Sequence, residues 1–306
     1  MSVAVGRPPG PAPGAPAGAP VARRLSSWLH RHAGARLAGL LAAPLVWLVV
    51  AYLGSLAVLF ASAFWTVNGF TGDVVRQPSL ANFRTIATGA VYRTVALRSV
   101  GVAAAVTAIT AVVALPMAFY MAKVASPRLR TILVIAILTP LWASYLVKAY
   151  AWRVLLANGG PIDSALGGPG RGPGYGLPAT VVVLSYLWLP YMILPVYAGL
   201  DRLPDSLLEA SGDLGGRGWR TFRSVVLPMI VPSVFAGSIF TFSLSLGDYI
   251  TVQIVGGKSQ LIGNLVYANI GAANNLPFAA ALACVPVVVM VVYLLAVRRS
   301  GALEEL

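Results

Sequence analysis

The chain has 306 residues, of which 58% are hydrophobic and only 10% are charged, and its net charge is +13. A soluble domain carries about 25% charged residues, so this chain has too few charges to cover a water-facing surface. Its basic residues are dispersed among apolar segments and form no patch with interleaved aromatic residues, which argues against a nucleic-acid-binding protein. The composition therefore indicates a membrane protein.

The first 36 residues are rich in proline, glycine, alanine and arginine and lack apolar periodicity. They predict a disordered, basic cytoplasmic tail over residues 1–36. The apolar run from Leu37 to about Trp65 follows. It is longer than the apolar core of about 7–15 residues in a secretory signal. We therefore expect an uncleaved first transmembrane span.

Six apolar runs follow one another along the chain, and each exceeds the roughly 20 residues that a helical span needs. Backbone groups in lipid must be satisfied within the segment, which favours helices. We therefore predict an all-α membrane protein with a transmembrane domain over residues 37–300 and a short cytoplasmic tail over residues 301–306. The predicted spans are 37–65, 98–122, 131–156, 177–200, 229–255 and 277–297.

The distribution of lysine and arginine predicts the orientation of these spans. If the N-terminus lies inside, the cytoplasmic segments hold 14 of the 22 basic residues and the outer segments hold 6. Cytoplasmic loops normally carry the excess of basic residues. Both termini are therefore expected in the cytoplasm.

The cytoplasmic stretch 201–228 between the fourth and fifth spans is charged but has helical signals. Leu203-Pro204-Asp205 predicts a helix start, and Gly215-Gly216 predicts a break. A second helix over residues 219–226 is expected to end before Pro228, and Leu207, Leu208 and Leu214 are expected to supply apolar contacts. A small-residue surface with an arginine rim suits docking on a partner, although an ordinary helical loop capping the bundle has the same pattern. The small residues are Ala210, Ser211, Gly212 and Gly215, and the rim is Arg217, Arg220 and Arg223.

The segment EASGDLGGRGWRTFRSVVLP within this stretch resembles the EAA loop of ABC importer permeases. The family pattern begins at Glu209, places a glycine at Gly215 and ends at Leu227-Pro228. Ser211 replaces an alanine and Val225 replaces an isoleucine, both mild departures. The resemblance implies a coupling helix that contacts a cytoplasmic ATPase. The residues that it assigns to coupling are Glu209, Ala210, Ser211, Gly212, Gly215, Arg217, Leu227 and Pro228.

The resemblance extends over residues 90–300 and implies a type I ABC importer permease with six spans. LTPLWASYLVKAYAWRVLLANGGPI and GDYITVQIVGGKSQLIGNLV look like segments of spermidine/putrescine permeases. Related permeases carry iron, thiamine, sulfate or phosphonates. The resemblance implies a multi-pass inner-membrane subunit, a second, similar permease that forms a heterodimer with it, two ATPase subunits that bind the ATP, and an extracytoplasmic solute-binding protein. No cofactor is expected on this chain.

No catalytic or metal-binding pattern is visible in the sequence. Gly256-Gly257-Lys258-Ser259 lacks the first glycine of a phosphate-binding loop, because Val252 stands at that position. His30 and His32 fall in the predicted tail, and Cys284 has no cluster of potential metal ligands. An ion-gradient-driven transporter would show an inverted repeat, which we do not detect. A scaffold without transport activity would leave the polar residues of the fifth span unexplained.

Asp248 is the one acidic residue predicted inside a span, and an ionisable group there suggests a functional site. Ser238, Thr241, Ser245 and Asp248 have spacings that place them on one helical face. This stripe predicts a substrate path in which Asp248 attracts a cation. The alternative is that Asp248 pairs with Lys148 or Arg153 and that the hydroxyl groups bond helix to helix.

Aromatic residues complete the predicted substrate path. Trp142 and Tyr145 in the third span could hold a cation over their rings, or they could belong to an interfacial aromatic belt, to which we assign Trp152 and Arg153. Tyr249 directly follows Asp248. The predicted path consists of Thr241, Ser245, Asp248, Tyr249, Trp142 and Tyr145.

Overall fold

A computed structural model describes residues 41–42 and 44–299 of the protein. The predicted tails at residues 1–36 and 301–306 lie outside the described residues. The described chain is mainly helical, with one short hairpin. Its elements are α1 Pro44–Ser62, β1 Thr66–Val67, β2 Val74–Val75, α2 Ala81–Thr88, α3 Ala90–Val124, α4 Pro127–Trp142, α5 Tyr145–Leu155, α6 Pro161–Ala165, α7 Leu177–Asp201, α8 Asp205–Asp213, α9 Gly218–Leu246, α10 Ile250–Val255, α11 Ile262–Ile270 and α12 Leu276–Arg299.

Five of these helices are long and apolar enough to cross a membrane: α1, α3, α7, α9 and α12. The predicted third span, 131–156, is two helices and not one, because α4 and α5 meet at a bend of 96°. Pro140 lies in the last turns of α4, and the backbone at Ala143 and Ser144 is extended. The Lys148 ammonium donates a hydrogen bond to the carbonyl of Pro140 at 3.0 Å, in addition to the bond that this carbonyl accepts from the amide of Ala143, and so ties α5 to the last turn of α4.

The bent pair α4–α5 runs from one end of α7 to the other. At its start, Arg130 forms an ion pair with Asp201 at the end of α7, with 3.0 Å between nitrogen and oxygen. At its end, the carbonyl of Arg153 accepts a hydrogen bond from the hydroxyl of Tyr175, which closely precedes α7. The pair therefore crosses the bundle as one span, and the structure has the six spans that the sequence predicts.

Helices α3, α7 and α9 pack against one another and contribute much of the buried interior. Small residues allow close approach between α7 and α9. A Cβ atom on Gly237 would lie 2.7 Å from the sulfur and 3.1 Å from the Cα of Met192. Such small-residue contacts are typical of helix packing in membranes, where dispersion contacts provide much of the attraction.

Helix α9 differs from the prediction at both ends. The prediction that a helix ends before Pro228 is wrong, because a wide π turn over Phe222–Val226 leads without interruption into the fifth span. The amide of Leu227 donates to the carbonyl of Phe222, five residues earlier. The predicted span 229–255 also ends early, at Leu246, and α10 begins after a three-residue break.

Local signals in the sequence predict other features correctly. The side chain of Asn275 accepts a hydrogen bond from the amide of Phe278 at 3.1 Å and so caps α12. The prolines expected inside spans lie inside helices, and one of them is followed by a π turn over Tyr120–Val124. These prolines are Pro116, Pro190, Pro195 and Pro286.

Candidate functional site

We call the stretch 201–228 the coupling loop. Two basic side chains, one at the end of α3 and one at the start of α4, hold it against the bundle. The Lys123 ammonium lies 2.8 Å from the Asp205 carboxylate and donates to the carbonyl of Leu203 at 2.6 Å. Arg130 pairs with Asp201. These contacts fix the start of α8 to the bundle.

A tight turn joins α8 to α9. Gly215 has a φ of +77°, in the left-handed region that favours glycine. The amide of Gly216 donates to the carbonyl of Ser211 at 2.8 Å, and the hydroxyl groups of Ser211 and Thr221 lie 2.9 Å apart. The predicted break between two helices is therefore present and is closed by hydrogen bonds.

The coupling loop presents apolar side chains to water. Leu208 packs against the interior, but the expectation of an apolar contact from Leu214 is wrong, because this side chain is 90% exposed. Trp219 is 72% exposed and stacks on Phe222 with ring centres 5.7 Å apart. The residues predicted for coupling surround them: Glu209, Ala210, Gly212, Gly215, Arg217 and Pro228 are exposed, and Ser211 and Leu227 are half-buried.

Asp248 lies in the break between α9 and α10 and is 8% exposed. Its carboxylate accepts hydrogen bonds from the backbone amide of Thr251 at 2.8 Å, from the hydroxyl of Thr251 and from the hydroxyl of Tyr145. The broken span thus places a carboxylate beside α5, with three donors and no basic side chain among its described partners.

The alternative in which Asp248 pairs with a basic residue of the third span is wrong. Lys148 points instead to the carbonyl of Pro140. The guanidinium of Arg153 lies over the ring of Tyr175, 5.9 Å from its centre. In the part of the chain that the structure describes, the Asp248 carboxylate therefore forms no salt bridge.

Aromatic rings border the Asp248 carboxylate. Trp188 of α7 stacks on Tyr145 with ring centres 5.9 Å apart and an interplanar angle of 21°. Tyr191 contacts Trp188, and Phe240 contacts Tyr191. An open cleft of about 300 Å³, which we call the Asp248 cleft, is lined by Tyr145, Trp188, Ser243, Leu244, Gly247, Asp248, Tyr249 and Ile250.

Two buried polar atoms near this break have no hydrogen-bond partner within the described residues. They are the hydroxyl oxygen of Ser245 and the indole nitrogen of Trp188. Buried polar atoms are normally satisfied, and of these two residues Trp188 lines the cleft whereas Ser245 is fully buried. Trp188 was not predicted as a site residue, because it lies in an apolar span and about forty residues from Tyr145 along the chain.

The residues of the predicted polar stripe do not all line the cleft: Asp248 does, whereas Ser238 and Thr241 bond to other helices. Thr241 is fully buried and donates toward the hydroxyl of Thr107 in α3 at 3.4 Å, and Ser238 accepts a hydrogen bond from Tyr293 of α12. These two hydroxyl groups bond helix to helix, as the alternative interpretation holds, and they do not line the cleft. Trp142 is 91% exposed and lies across the α4–α5 bend from Tyr145.

Tyr145, Asp248 and Tyr249 are therefore the predicted path residues that line the cleft, and Ser245 is buried within three residues of Asp248. Their arrangement offers a carboxylate, aromatic faces and apolar walls. Such a set can hold an organic cation by charge, by hydrogen bonding and by cation–π contact.

Sequence comparison places residues 110–300 in the family described as "Binding-protein-dependent transport system inner membrane component". The inner membrane ABC transporter permease protein YdcU of Escherichia coli (strain K12) is 44% identical over 299 residues, which cover 92% of this chain and 95% of that protein. The spermidine/putrescine transport system permease protein PotB of Haemophilus influenzae is 29% identical over 69% of this chain and 76% of its own length.

Structure comparison finds bacterial ABC transporters that import alginate. One, solved in complex with a periplasmic protein bound to an alginate pentasaccharide, has a TM-score of 0.67 and 15% sequence identity, and the match covers 90% of this chain and 96% of that chain. A second alginate transporter gives a TM-score of 0.65. At this level of identity the likeness shows the fold.

Proposed function

The chain belongs to the family of binding-protein-dependent transport system inner membrane components, and from that premise we propose that it carries polyamines such as spermidine and putrescine. It is a permease subunit of an ABC importer, resides in the inner membrane and is not an enzyme. The six-span type I fold agrees with the expectation from the sequence. The polyamine substrate and the roles of individual residues belong to the proposal.

The Asp248 cleft carries the substrate proposal. A polyamine is an apolar alkyl chain with ammonium groups. The carboxylate of Asp248 supplies a counter-charge, the rings of Tyr145 and Trp188 supply π faces, and Leu244 and Ile250 supply apolar walls. Since no basic side chain neutralises Asp248 within the described residues, its charge is available to the cargo. An incoming ammonium would replace the hydroxyl of Tyr145 as a donor to the carboxylate.

The relatives give independent support for this substrate class. Several permeases named for spermidine and putrescine are 28–29% identical to the chain over 69% of its length. The name of the 44% identical relative states no substrate. Iron, thiamine and phosphonates therefore serve as comparison solutes in the test.

The coupling loop supports the proposal of partner subunits. Its exposed apolar residues suit an ATPase docking on the cytoplasmic side, where ATP would bind. We propose two ATPase subunits, a second permease that completes the pore and an extracytoplasmic solute-binding protein that delivers the cargo. The coupling residues proposed above would transmit the closure of the ATPases to the spans.

The substitution Asp248→Asn tests the substrate role. Asparagine keeps the shape of the side chain and one oxygen that can accept from the amide of Thr251, and its NH2 group can donate to the hydroxyl oxygen of Tyr145, so the fold should persist while the charge is lost. A hydrogen bond to a charged group contributes roughly 1.5–3 kcal/mol. We therefore expect the putrescine concentration for half-maximal uptake to rise about tenfold or more, measured with labelled putrescine and the complete complex in proteoliposomes.

Unlabelled spermidine should compete in this assay, and thiamine, iron and phosphonate should not. Asp73→Asn serves as the matched control, because it removes an exposed acidic charge from the turn of the β1–β2 hairpin. Wild-type uptake by the Asp248→Asn complex, with normal membrane abundance, would reject the role of Asp248. Absence of putrescine uptake by the wild-type complex, alongside uptake of another solute, would reject the polyamine proposal.

A further inference from the structure

Helix α11, in the segment that connects α10 with α12, lies directly against the break that carries Asp248. Gly263 permits this close approach. A Cβ atom on Gly263 would lie 3.0 Å from the carbonyl oxygen of Gly247 and 3.2 Å from that of Asp248. The backbone of α11 therefore touches the same three residues that interrupt the fifth span.

Asn264 joins the two segments through both ends of its side-chain amide. Its oxygen accepts a hydrogen bond from the amide of Leu261 at 3.2 Å, which closes the first turn of α11. Its nitrogen donates to the carbonyl of Tyr249 at 3.0 Å. The Tyr249 carbonyl also accepts a hydrogen bond from the amide of Gln253 in α10 at 3.0 Å, so the bond from Asn264 is a second one, which ties this carbonyl to α11.

An aromatic contact adds to this hydrogen bond. The rings of Tyr249 and Tyr267 stack with centres 4.9 Å apart and an interplanar angle of 18°. Tyr249 also lines the Asp248 cleft. Its backbone and its ring are thus both held by α11.

Helix α11 is itself anchored to other spans. The amide of Ile262 donates to the hydroxyl of Ser99 in α3 at 2.8 Å. The side chain of Ile262 is 1% exposed and packs with Phe278 and Leu282 of α12. The break at Asp248 is therefore held on one side by α11 and on the other by the hydroxyl of Tyr145.

We propose that Asn264 is a positioning residue for transport: by holding the backbone at Gly247–Tyr249, it fixes the Asp248 carboxylate at the cleft where an ammonium group binds. This inference rests on the proposed function, because it requires Asp248 to meet the cargo. According to this inference, α11, which lies outside the spans, affects the affinity of the Asp248 cleft for its cargo.

The substitution Asn264→Asp removes one of the two hydrogen bonds of the Asn264 side chain and keeps the other. Aspartate still accepts from the amide of Leu261 and so preserves the start of α11, but it cannot donate to Tyr249 and turns an oxygen toward that carbonyl. Asn269→Asp is the matched control. It makes the same chemical change on the same helix, where the amide nitrogen of Asn269 donates only to the carbonyl of Leu265 within α11.

The experiment measures the uptake of labelled putrescine by the complete complex, and it determines KM and the maximal rate separately. We expect Asn264→Asp to raise KM about tenfold, because the Tyr249 carbonyl loses its bond to α11 and faces a carboxylate oxygen instead, so that the Asp248 carboxylate shifts. Maximal rate per complex and melting temperature should stay near wild type. Asn269→Asp should leave KM unchanged. Tyr267→Ala, at a half-exposed position, should raise KM about threefold.

A wild-type KM for Asn264→Asp would overturn the inference, as would an equal rise for Asn269→Asp. If Asn264→Asp fails to assemble, a wild-type KM for Tyr267→Ala overturns it. Asp248→Asn is measured alongside. If Asp248→Asn alone raises KM, the proposed function stands and the role of α11 fails. If Asp248→Asn leaves KM unchanged, the substrate role of Asp248 fails and the inference fails with it, whereas absence of putrescine uptake by the wild-type complex shows that the proposed function fails.

Discussion

Leu214 and Trp219 expose large apolar side chains on the coupling loop, close to the tight turn at Gly215. Leu214 is 90% exposed and Trp219 is 72% exposed. Burial of apolar surface contributes roughly 25 cal/mol per Å², and tryptophan is frequent among the residues that dominate protein interfaces. These two side chains are therefore the proposed anchors for the ATPase, with the small residues of α8 allowing its backbone to approach.

We predict that Leu214→Ala and Trp219→Ala each weaken association with the ATPase by roughly 1–3 kcal/mol, the range of a substantial interface residue. The ratio of ATPase to permease after affinity purification measures the effect. Phe70→Ala is the control, because Phe70 is a fully exposed apolar residue in the turn of the β1–β2 hairpin, far along the chain from the coupling loop.

Both alanine variants should insert in the membrane at wild-type abundance, since neither side chain is buried. An unchanged ATPase ratio for the double variant would show that the two residues do not anchor the partner. An equal loss for Phe70→Ala would show that the effect is not specific to the coupling loop.

At the scale of elements, the glycine-rich segment between α5 and α7 is organised around one carboxylate. Asp163 of α6 is 2% exposed and accepts hydrogen bonds from the amides of Gly159, Gly170 and Gly172 at 2.7–2.9 Å. These amide donors hold the pKa of Asp163 below its ordinary value. One side chain thus orders a segment that has many glycines and little apolar surface.

We predict that Asp163→Asn loosens this segment, because the amide has one acceptor oxygen for three donors and so leaves backbone donors without a partner. Hydrogen exchange at the three glycine amides should become faster. Asp73→Asn, in the turn of the β1–β2 hairpin, should leave these amides unchanged. Equal exchange rates in wild type and Asp163→Asn would contradict the prediction.

The lowered pKa of Asp163 also determines how the stability of this glycine-rich segment changes with pH. A carboxyl group with a depressed pKa in the folded state stabilises the fold above its unfolded pKa, and this stabilisation is lost as pH falls through the folded value. Protection of the three amides should therefore be constant from neutral to mildly acidic pH and should fall in more acidic solution, below the ordinary pKa of aspartate.

At the scale of the whole molecule, α9 connects the two candidate sites. It has 29 residues, which corresponds to about 43 Å at 1.5 Å per residue. It begins just after the turn at Gly215 and ends just before Asp248. A displacement of the coupling loop can thus be transmitted along one continuous helix to the Asp248 cleft.

A substitution at the contact between α9 and α7 tests whether these two helices pack as the structure shows. We predict that Gly237→Val destabilises the permease by roughly 1–3 kcal/mol, the usual cost of overpacking, because the new Cβ would press against the backbone of Met192. Thermal unfolding of the purified permease measures the change. Gly101→Val is the control, since a Cβ on Gly101 would meet no atom within 4 Å.

A melting temperature for Gly237→Val equal to that of Gly101→Val would contradict the packing of α7 on α9. A lowered melting temperature together with normal uptake would separate stability from the proposed transmission along α9.

The sequence determined the features that depend on local physics. Long apolar runs predicted the spans, because a lipid-embedded backbone must bond to itself within each segment. The spacing from Glu209 to Pro228 carries the resemblance to the EAA loop, from which coupling is expected, and Asn275 predicted the start of α12. Each of these signals lies within a short stretch of chain and needs no knowledge of what packs against it.

Only the tertiary structure decided how the spans break and what Asp248 contacts. At the breaks after α4 and α9, Lys148 and Asn264 donate from other segments to the carbonyls of Pro140 and Tyr249, each of which also accepts a backbone amide. Tyr145 reaches Asp248 across 103 positions of sequence, and Trp188 joins them from a third helix. Such contacts cannot be predicted from the apolar and hydroxyl residues themselves. The free energy of a polar contact in the membrane depends on which group, distant in sequence, forms the hydrogen bond.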